Sequence, residues 1–93
     1  MDLGLANKRA IVTGGSRGIG MAIADSLLKD GASIATCARG QEALERTIGH
    51  WRDQGATAFG SAVDVSDAEA FASWFESAVK QLGGLDIFVA QKS

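Results

Sequence analysis

The chain has 93 residues, of which 46% are hydrophobic and 22% charged, and its formal net charge is -2. This length suits one small domain, and the apolar content excludes an intrinsically disordered chain. The lack of a basic block argues against a nucleic-acid partner, and no apolar run approaches the roughly 18 residues of a membrane span. The first residues, MDLGL, lack the basic and apolar regions of a signal peptide, so we expect a cytoplasmic protein without a membrane partner.

Taken in chain order, short apolar segments alternate with longer amphipathic ones. Strands are predicted over residues 9–13, 33–38, about 57–63 and 85–90, and helices over about 19–29, about 41–54 and from residue 66 onward. Helical connections of this length join parallel strands through right-handed crossovers. The sequence therefore predicts an α/β fold with a doubly wound parallel sheet of about four strands and three helices, in a single domain over residues 1–93.

Local signals add detail to this outline. Gly60 and Ser61 interrupt the third strand with residues that strand interiors disfavour. Ser66 and Glu69 fit a capping box, with Ser66 as the N-cap of the third helix. Cys37, the only cysteine, is expected to be a small apolar core residue and not a nucleophile. The inner stripe of the second helix is predicted to consist of Leu44, Thr47, Ile48 and Trp51.

The glycine-rich segment TGGSRGIG, at residues 13–20, joins the first strand to the first helix. Gly14 permits a sharp turn, Gly18 leaves room for a phosphate against the backbone, and Gly20 lets the helix approach the strand closely. The N-terminus of the helix adds unpaired N–H groups and a partial positive charge, which favour an anion. A buried strand before the loop and an amphipathic helix after it predict dinucleotide binding. The alternative interpretation is a tight turn between strand and helix that binds no ligand.

The same segment matches TGxxxGxG, the glycine motif of the short-chain dehydrogenase/reductase family. Asp64 and Val65, after the third strand, resemble the family's adenine-binding pair, and residues 85–89 resemble the strand that leads into its Asn-Asn-Ala-Gly motif. The resemblance covers residues 8–90 and implies a Rossmann-like NAD(P)-binding domain. It also implies an oxidoreductase that moves hydride between a nicotinamide cofactor and a carbonyl or alcohol. The cofactor-binding positions that it implies are Thr13, Gly14, Ser16, Arg17, Gly18, Ile19, Gly20, Arg39, Asp64, Val65 and Ala90.

Two arginines bear on the choice between NAD(H) and NADP(H). Dehydrogenases that prefer NAD usually carry a carboxylate at the end of the second strand, where it binds the ribose hydroxyls. This sequence has Arg39 there and no carboxylate before Glu42, and Arg17 lies in the glycine loop. Because a guanidinium binds phosphate through two parallel hydrogen bonds, both positions resemble those of family members that prefer NADP. The prediction is NADP(H) over NAD(H); the alternative is that one or both arginines are solvated surface charges.

Asp64 carries a second hypothesis with its own alternative. In the family, this carboxylate accepts a hydrogen bond from the adenine amino group, while the N–H of the next residue, here Val65, donates to the ring. The alternative is a purely structural role, in which Asp64 only helps to start the following helix, since aspartate is common near helix N-termini.

The catalytic machinery of the family is not represented in this sequence. Relatives use a tyrosine as acid or base, a lysine four residues later and usually a serine upstream, whereas this chain contains no tyrosine. Where the family has its asparagine motif, residues 90–93 read AQKS. We therefore expect a chain truncated after the fourth strand, without catalytic residues or a metal site, that is inactive alone.

Two interpretations follow from this pattern. One is the NADP(H)-binding portion of an oxidoreductase of the family; the other is a non-catalytic nucleotide-binding or protein-interaction module. In either case the fourth strand, over residues 85–90, is expected to form an exposed sheet edge, which can pair with another chain. The prediction is marginal stability, self-association or both.

Overall fold

The computed structural model describes residues 7–14 and 18–90. The strands are β1 (Arg9–Thr13), β2 (Ser33–Ala38), β3 (Ala58–Ala62) and β4 (Ile87–Val89). The helices are α1 (Gly18–Lys29), α2 (Gln41–Asp53) and α3 (Ala68–Leu82). The predicted bounds of the first two strands are confirmed, whereas β3 and β4 are shorter at both ends than predicted. None of the helices in this part of the chain is long and apolar enough to cross a membrane.

The four strands form one parallel sheet in the order β3-β2-β1-β4. The central strand β1 pairs with β2 on one side and β4 on the other, so that Ile11 lies between Ala35 and Phe88. Strand order thus reverses beside β1, because β2 and β3 lie on one side of it and β4 on the other. This arrangement confirms the predicted Rossmann-like α/β fold.

Helices cover both faces of the sheet, which makes it doubly wound. On one face, α1 and α2 enclose a buried cluster of Ala10, Val12, Ala24, Ile34, Ala38, Leu44, Ile48, Trp51 and Ala58. On the other, α3 covers a smaller cluster of Ile11, Ala35, Cys37, Trp74 and Ala78. The predicted inner stripe of α2 is confirmed, since all four of its residues are buried. Cys37 is buried and free, as expected of a core residue.

Gly60 explains why α2 lies so close to β3. A Cβ atom at this position would lie 3.0 Å from Cδ1 and Cγ1 of Ile48 and 3.1 Å from Cδ1 of Leu44. The two α2 side chains therefore fill the space that a larger residue in β3 would need. The glycine that interrupts the strand pattern is thus a packing feature of the helix above it.

The N-cap of α3 differs from the prediction. Asp67, and not Ser66, is the N-cap, and its Oδ1 accepts a hydrogen bond from the N–H of Ala70 at 3.1 Å. The N–H and the hydroxyl of Ser66 both donate backwards, to Oδ1 of Asp64. The predicted capping box is therefore wrong by one residue, because the Ser66 side chain bonds the preceding loop and not the helix.

The two edges of the sheet are built differently. At β3, the N–H of Ile34 in β2 donates to the carbonyl of Thr57 at 3.0 Å. Because successive carbonyls of a strand point to opposite sides, the carbonyl of the next residue, Ala58, faces the outer edge of the sheet. Nε of Arg52 donates to that Ala58 carbonyl at 2.9 Å, and the guanidinium lies 5.9 Å from the centre of the Phe59 ring. An arginine of α2 thus occupies part of the β3 edge.

The β4 edge carries an exposed aromatic side chain. Phe88 is 48% exposed and meets Phe75 of α3 edge-to-face, with the ring centres 5.4 Å apart. These two rings line an open apolar groove of about 630 Å³ between α3 and β4. Glu76 and Lys80 of α3 also line it and pair with each other at 3.6 Å.

Arg9 and Asp86 fasten β4 to the start of β1. The backbone N–H and Nε of Arg9 both donate to Oδ2 of Asp86, at 2.9 and 3.0 Å. Nη1 of Arg9 donates to the carbonyl of Gly83, the left-handed C-cap of α3, at 2.8 Å. Arg9 thereby holds the end of α3 and the beginning of β4 against β1.

Candidate functional site

The predicted site residues collect at one edge of the sheet, beyond the carboxyl ends of its strands. Gly14 follows β1, Arg39 follows β2, Asp64 lies two residues beyond β3, and Ala90 follows β4. Because the strands are parallel and adjacent, these positions meet at the edge where α/β sheets bind ligands. Ser16 and Arg17, which were also predicted to bind the cofactor, lie outside the described residues.

Gly14, Gly18 and Gly20 of the glycine-rich segment lie within the described residues. Gly14 and Gly18 both have left-handed backbones, with φ of 67° and 62°. The N–H of Gly14 donates to the carbonyl of Cys37 at 2.8 Å, which ties the turn to the end of β2. Among the described residues outside its own helical turn, no atom lies within 4 Å of the position that a Cβ of Gly18 would take. Gly20 is buried against the core, as expected for close approach of the helix.

Arg39 and Asp64 form an ion pair that links the ends of β2 and β3. Nη2 of Arg39 lies 3.3 Å from Oδ1 of Asp64, and their side chains are 69% and 48% exposed. Just before them, the N–H of Val63 donates to the carbonyl of Ala38 at 3.0 Å. The register of the two strands therefore places this cation and this anion side by side.

Asp64 is also held by the turn that follows it. Its Oδ1 accepts hydrogen bonds from the hydroxyl of Ser66 at 2.7 Å and from the N–H of Ser66 at 2.9 Å. The Ser66 hydroxyl, followed by the Ser66 N–H and by Arg39, holds the pKa of the Asp64 carboxyl below its usual range. The group is therefore a carboxylate at neutral pH and acts only as a hydrogen-bond acceptor. The sequence pattern predicts Ser66 to be the N-cap of the third helix and not a residue of the site, although its position two residues after an aspartate is typical of an Asx turn.

Exposed apolar side chains also mark this edge of the sheet. In the described part of the chain, the exposed large hydrophobic residues are Ile19, at 69%, Phe88, at 48%, and Val65, at 40%. Ile19 lies at the start of α1 and Val65 follows Asp64, so two of the three lie at the candidate site.

Other candidate reactive groups lie elsewhere. Burial raises the pKa of the Cys37 thiol, which disfavours the reactive thiolate. His50 is exposed on α2, far along the helix from the carboxyl ends of the strands. Within residues 7–14 and 18–90, no three His, Cys, Asp or Glu side chains are grouped as a metal site would require.

Known proteins resemble this chain in both sequence and architecture. The chain is 39% identical over 89 residues to the uncharacterized oxidoreductase YvrD of Bacillus subtilis, covering 96% of this chain and 33% of that protein. The crystal structure of L-sorbose reductase from Gluconobacter frateurii, complexed with NADPH and L-sorbose, matches with a TM-score of 0.92. That match has 36% identity and covers 100% of this chain and 36% of the reductase.

A second solved structure carries the other nicotinamide cofactor. A short chain dehydrogenase/reductase from Burkholderia phymatum, in complex with NAD, matches with a TM-score of 0.86 and 26% identity, covering 90% of this chain and 30% of that one. The chain thus spans about a third of the length of these relatives.

The sequence profile of one family accounts for almost the whole chain. The profile described as short chain dehydrogenase matches residues 8–91. Its matched region contains the glycine turn, the Arg39–Asp64 pair and all four strands. The chain therefore belongs to the short-chain dehydrogenase family.

Proposed function

We propose that this chain binds the adenosine and phosphate part of NADP(H), as the cofactor-binding portion of an oxidoreductase acting on a carbonyl or alcohol. The observation that carries the proposal is the position of Arg39. Its exposed guanidinium lies at the carboxyl end of β2, two residues beyond Cys37, whose carbonyl holds the glycine turn through Gly14. A phosphate at the start of α1 and a second phosphate on the adjacent ribose would both be near cationic or N–H donors.

Arg39 suits a phosphate better than ribose hydroxyls. A guanidinium has only donors, so it matches the oxygens of a 2′-phosphate through two parallel hydrogen bonds. The first carboxylate after Arg39 in the sequence is Glu42, already within α2. The exposed ion pair with Asp64 is a weak competitor, because water solvates both partners well. We therefore assign Arg39 to the 2′-phosphate, with Arg17 of the glycine loop as its sequence-predicted companion.

The turn after β3 supplies groups for the adenine ring. Asp64 presents an ionised carboxylate as an acceptor for the amino group, and the neighbouring Val65 N–H is the donor that the resemblance assigns to the ring. The exposed side chains of Ile19 and Val65 offer apolar contact beside them. The NADPH and NAD complexes of similar proteins support a nicotinamide dinucleotide as the ligand, while Arg39 supports the preference for NADP(H).

For catalysis, we propose that these 93 residues bind the cofactor without turning over substrate on their own. The cofactor supplies the hydride when it is bound, and a proton must move at the reacting oxygen as well. Family members use a tyrosine for that proton, and these residues include none. We assign cofactor binding, and not acid–base chemistry, to Ser16, Gly18 and Ala90.

The deciding experiment compares NADPH and NADH binding by calorimetry, with amide NMR spectra to locate the site. We expect tighter binding of NADPH, with shifts at Gly14, Gly18 and Arg39. Arg39→Asp should reduce the NADPH preference by roughly tenfold to a hundredfold, because it removes a charged hydrogen-bond donor. Arg46→Asp, which makes the same charge change at an exposed position on α2, should leave the preference intact. An unchanged preference in Arg39→Asp would contradict the assignment.

We also propose that two copies of this chain associate through the outer edge of β4. The exposed Phe88 and the apolar groove beside it support such a contact. Glu76 and Lys80 at the groove are oppositely charged, so a two-fold arrangement can pair Glu76 of one copy with Lys80 of the other. The apolar lining of the groove and its two opposite charges therefore support a second copy as its occupant.

A further inference from the structure

We propose that Ser66 is a positioning residue of the nucleotide site: it holds the carboxylate of Asp64, and through it the guanidinium of Arg39, in the arrangement that binds adenosine 2′-phosphate. This inference rests on the proposed function and deepens it. In this assignment, Ser66 does not touch the ligand and acts on it only through Asp64 and Arg39.

The hydrogen bonds of Ser66 are directed at the site and not at the helix. Its hydroxyl and N–H reach Oδ1 of Asp64 at 2.7 and 2.9 Å, and the same oxygen faces Nη2 of Arg39 at 3.3 Å. The cap of α3 is supplied by Asp67, which bonds the N–H of Ala70. The side chain of Ser66 is therefore not needed for helix capping, and its hydrogen bond acts on Asp64.

The turn itself is closed without the Ser66 hydroxyl. The N–H of Asp67 donates to the carbonyl of Asp64 at 3.0 Å, and Val63 is fastened to the end of β2 through the carbonyl of Ala38. These main-chain bonds fix the path of the chain. The N–H of Ser66 already restricts the rotamer of the Asp64 side chain, and the hydroxyl adds a second, shorter bond to the same oxygen that restricts it further.

Restricting that rotamer favours binding because both side chains of the ion pair are exposed. An exposed pair at 3.3 Å does not by itself fix two flexible side chains. The shorter bonds from Ser66 order the carboxylate before a ligand arrives, and the carboxylate in turn orients the guanidinium. Groups ordered in advance lose less conformational entropy when they bind, which raises affinity.

The test measures affinity for NADPH and for adenosine 2′,5′-bisphosphate, a probe of the adenosine 2′-phosphate half alone. Ser66→Ala should weaken both by about fivefold, the worth of one typical hydrogen bond. Ser66→Thr retains a hydroxyl and should bind like the wild type. Ser66→Val has the shape of the threonine variant but lacks the hydroxyl, and it should bind like Ser66→Ala. Ser77→Ala, at an exposed position on α3, is the matched control and should change nothing.

A double-mutant cycle shows whether Ser66 acts through Asp64. In an Asp64→Ala background, Ser66→Ala should cause no further loss of affinity. If Ser66 contacted the ligand directly, the same substitution would still weaken binding about fivefold. Amide NMR spectra of each variant establish that it is folded, and the Thr and Val pair keeps the comparison valid if the alanine variant is unstable. Wild-type affinity in Ser66→Val would overturn this inference alone. Failure of the wild-type chain to bind either ligand would overturn the proposed function and this inference with it.

Discussion

Arg39 and Asp64 lie 25 positions apart in the chain, yet Nη2 of one and Oδ1 of the other are 3.3 Å apart. The contact follows from sheet register, since Ala38 and Val63 form the preceding backbone bond. The positive charge of Arg39 is thus partly neutralised by a neighbouring carboxylate. In the proposed site, Arg39 would contact both the 2′-phosphate and Asp64, and Asp64 would contact both Arg39 and the adenine amino group.

Removal of the Asp64 carboxylate should weaken the binding of nucleotides with and without a 2′-phosphate. Asp64→Ala deletes the acceptor assigned to the adenine amino group, which NADPH and NADH share. We expect roughly fivefold weaker binding of NADH in calorimetric titrations and a larger loss for NADPH, because Asp64 also orients Arg39 in the proposed site. Asp53→Ala, exposed at the end of α2, is the control. A variant that melts earlier but binds with wild-type affinity would favour a purely structural role for Asp64.

A methyl group at position 60 should destabilise the fold. In Gly60→Ala, the new Cβ would meet Ile48 and Leu44 at 3.0 to 3.1 Å, and both side chains belong to the packed core. We expect a loss of roughly 1–3 kcal/mol in the free energy of unfolding, measured by urea denaturation. Gly49→Ala is the matched control, because that glycine lies in α2 with nothing within 4 Å of its Cβ position. It should stabilise the chain by about 0.5–1 kcal/mol. Stabilisation by Gly60→Ala as well would contradict the packing argument.

Stability should fall at acidic pH partly through Asp86. The side chain of Arg9, followed by its backbone N–H, holds the pKa of this carboxyl below its ordinary value. A carboxyl with a lower pKa in the folded state contributes stability that is complete above the unfolded value, about 3.9, and is lost as pH falls through the folded value. Asp86→Asn should therefore flatten the dependence of the unfolding free energy on pH below about 4. Some dependence should persist, because the pKa of Asp64 is lowered in the same direction.

Association through β4 should depend on Phe88. Replacing this half-exposed ring with lysine, as Phe88→Lys, puts a charge on a sheet edge and should weaken pairing between copies. Sedimentation velocity over a range of concentrations should show a dimer for the wild type that dissociates in the variant. Ile19→Lys places the same charge at another exposed apolar residue and should leave association unchanged. A wild-type chain that stays monomeric throughout would refute the proposal.

Local periodicity was sufficient to predict much of the fold. The bounds of β1 and β2 and the buried stripe of α2 follow from residues that are neighbours in sequence. The bounds of β3 are harder to predict, because the glycine that weakens its pattern is explained by Ile48, which belongs to a different element. A sequence pattern records that a small residue is present but not which side chain fills the space.

The site shows the same division between local and long-range information. The motif selects Gly14 and Gly18 as cofactor-binding positions, and the structure adds that both have left-handed backbones. It also selects Arg39 and Asp64 separately, but their contact depends on the pairing of β2 with β3. Ser66 was assigned to the helix because Glu69, three residues later, completes a capping-box pattern, whereas the geometry places Asp67 at the N-cap.

Arg52 bears on how far the proposed assembly would proceed. Its Nε occupies the carbonyl of Ala58 on the outer edge of β3, whereas no described residue pairs with the outer side of β4. On the proposed contact, two copies joined at β4 would present their β3 edges to the solvent, each carrying its own arginine. Because that arginine takes one of the acceptors that a further strand would need, it disfavours the addition of more copies, whereas a chain with two open edges can seed a filament.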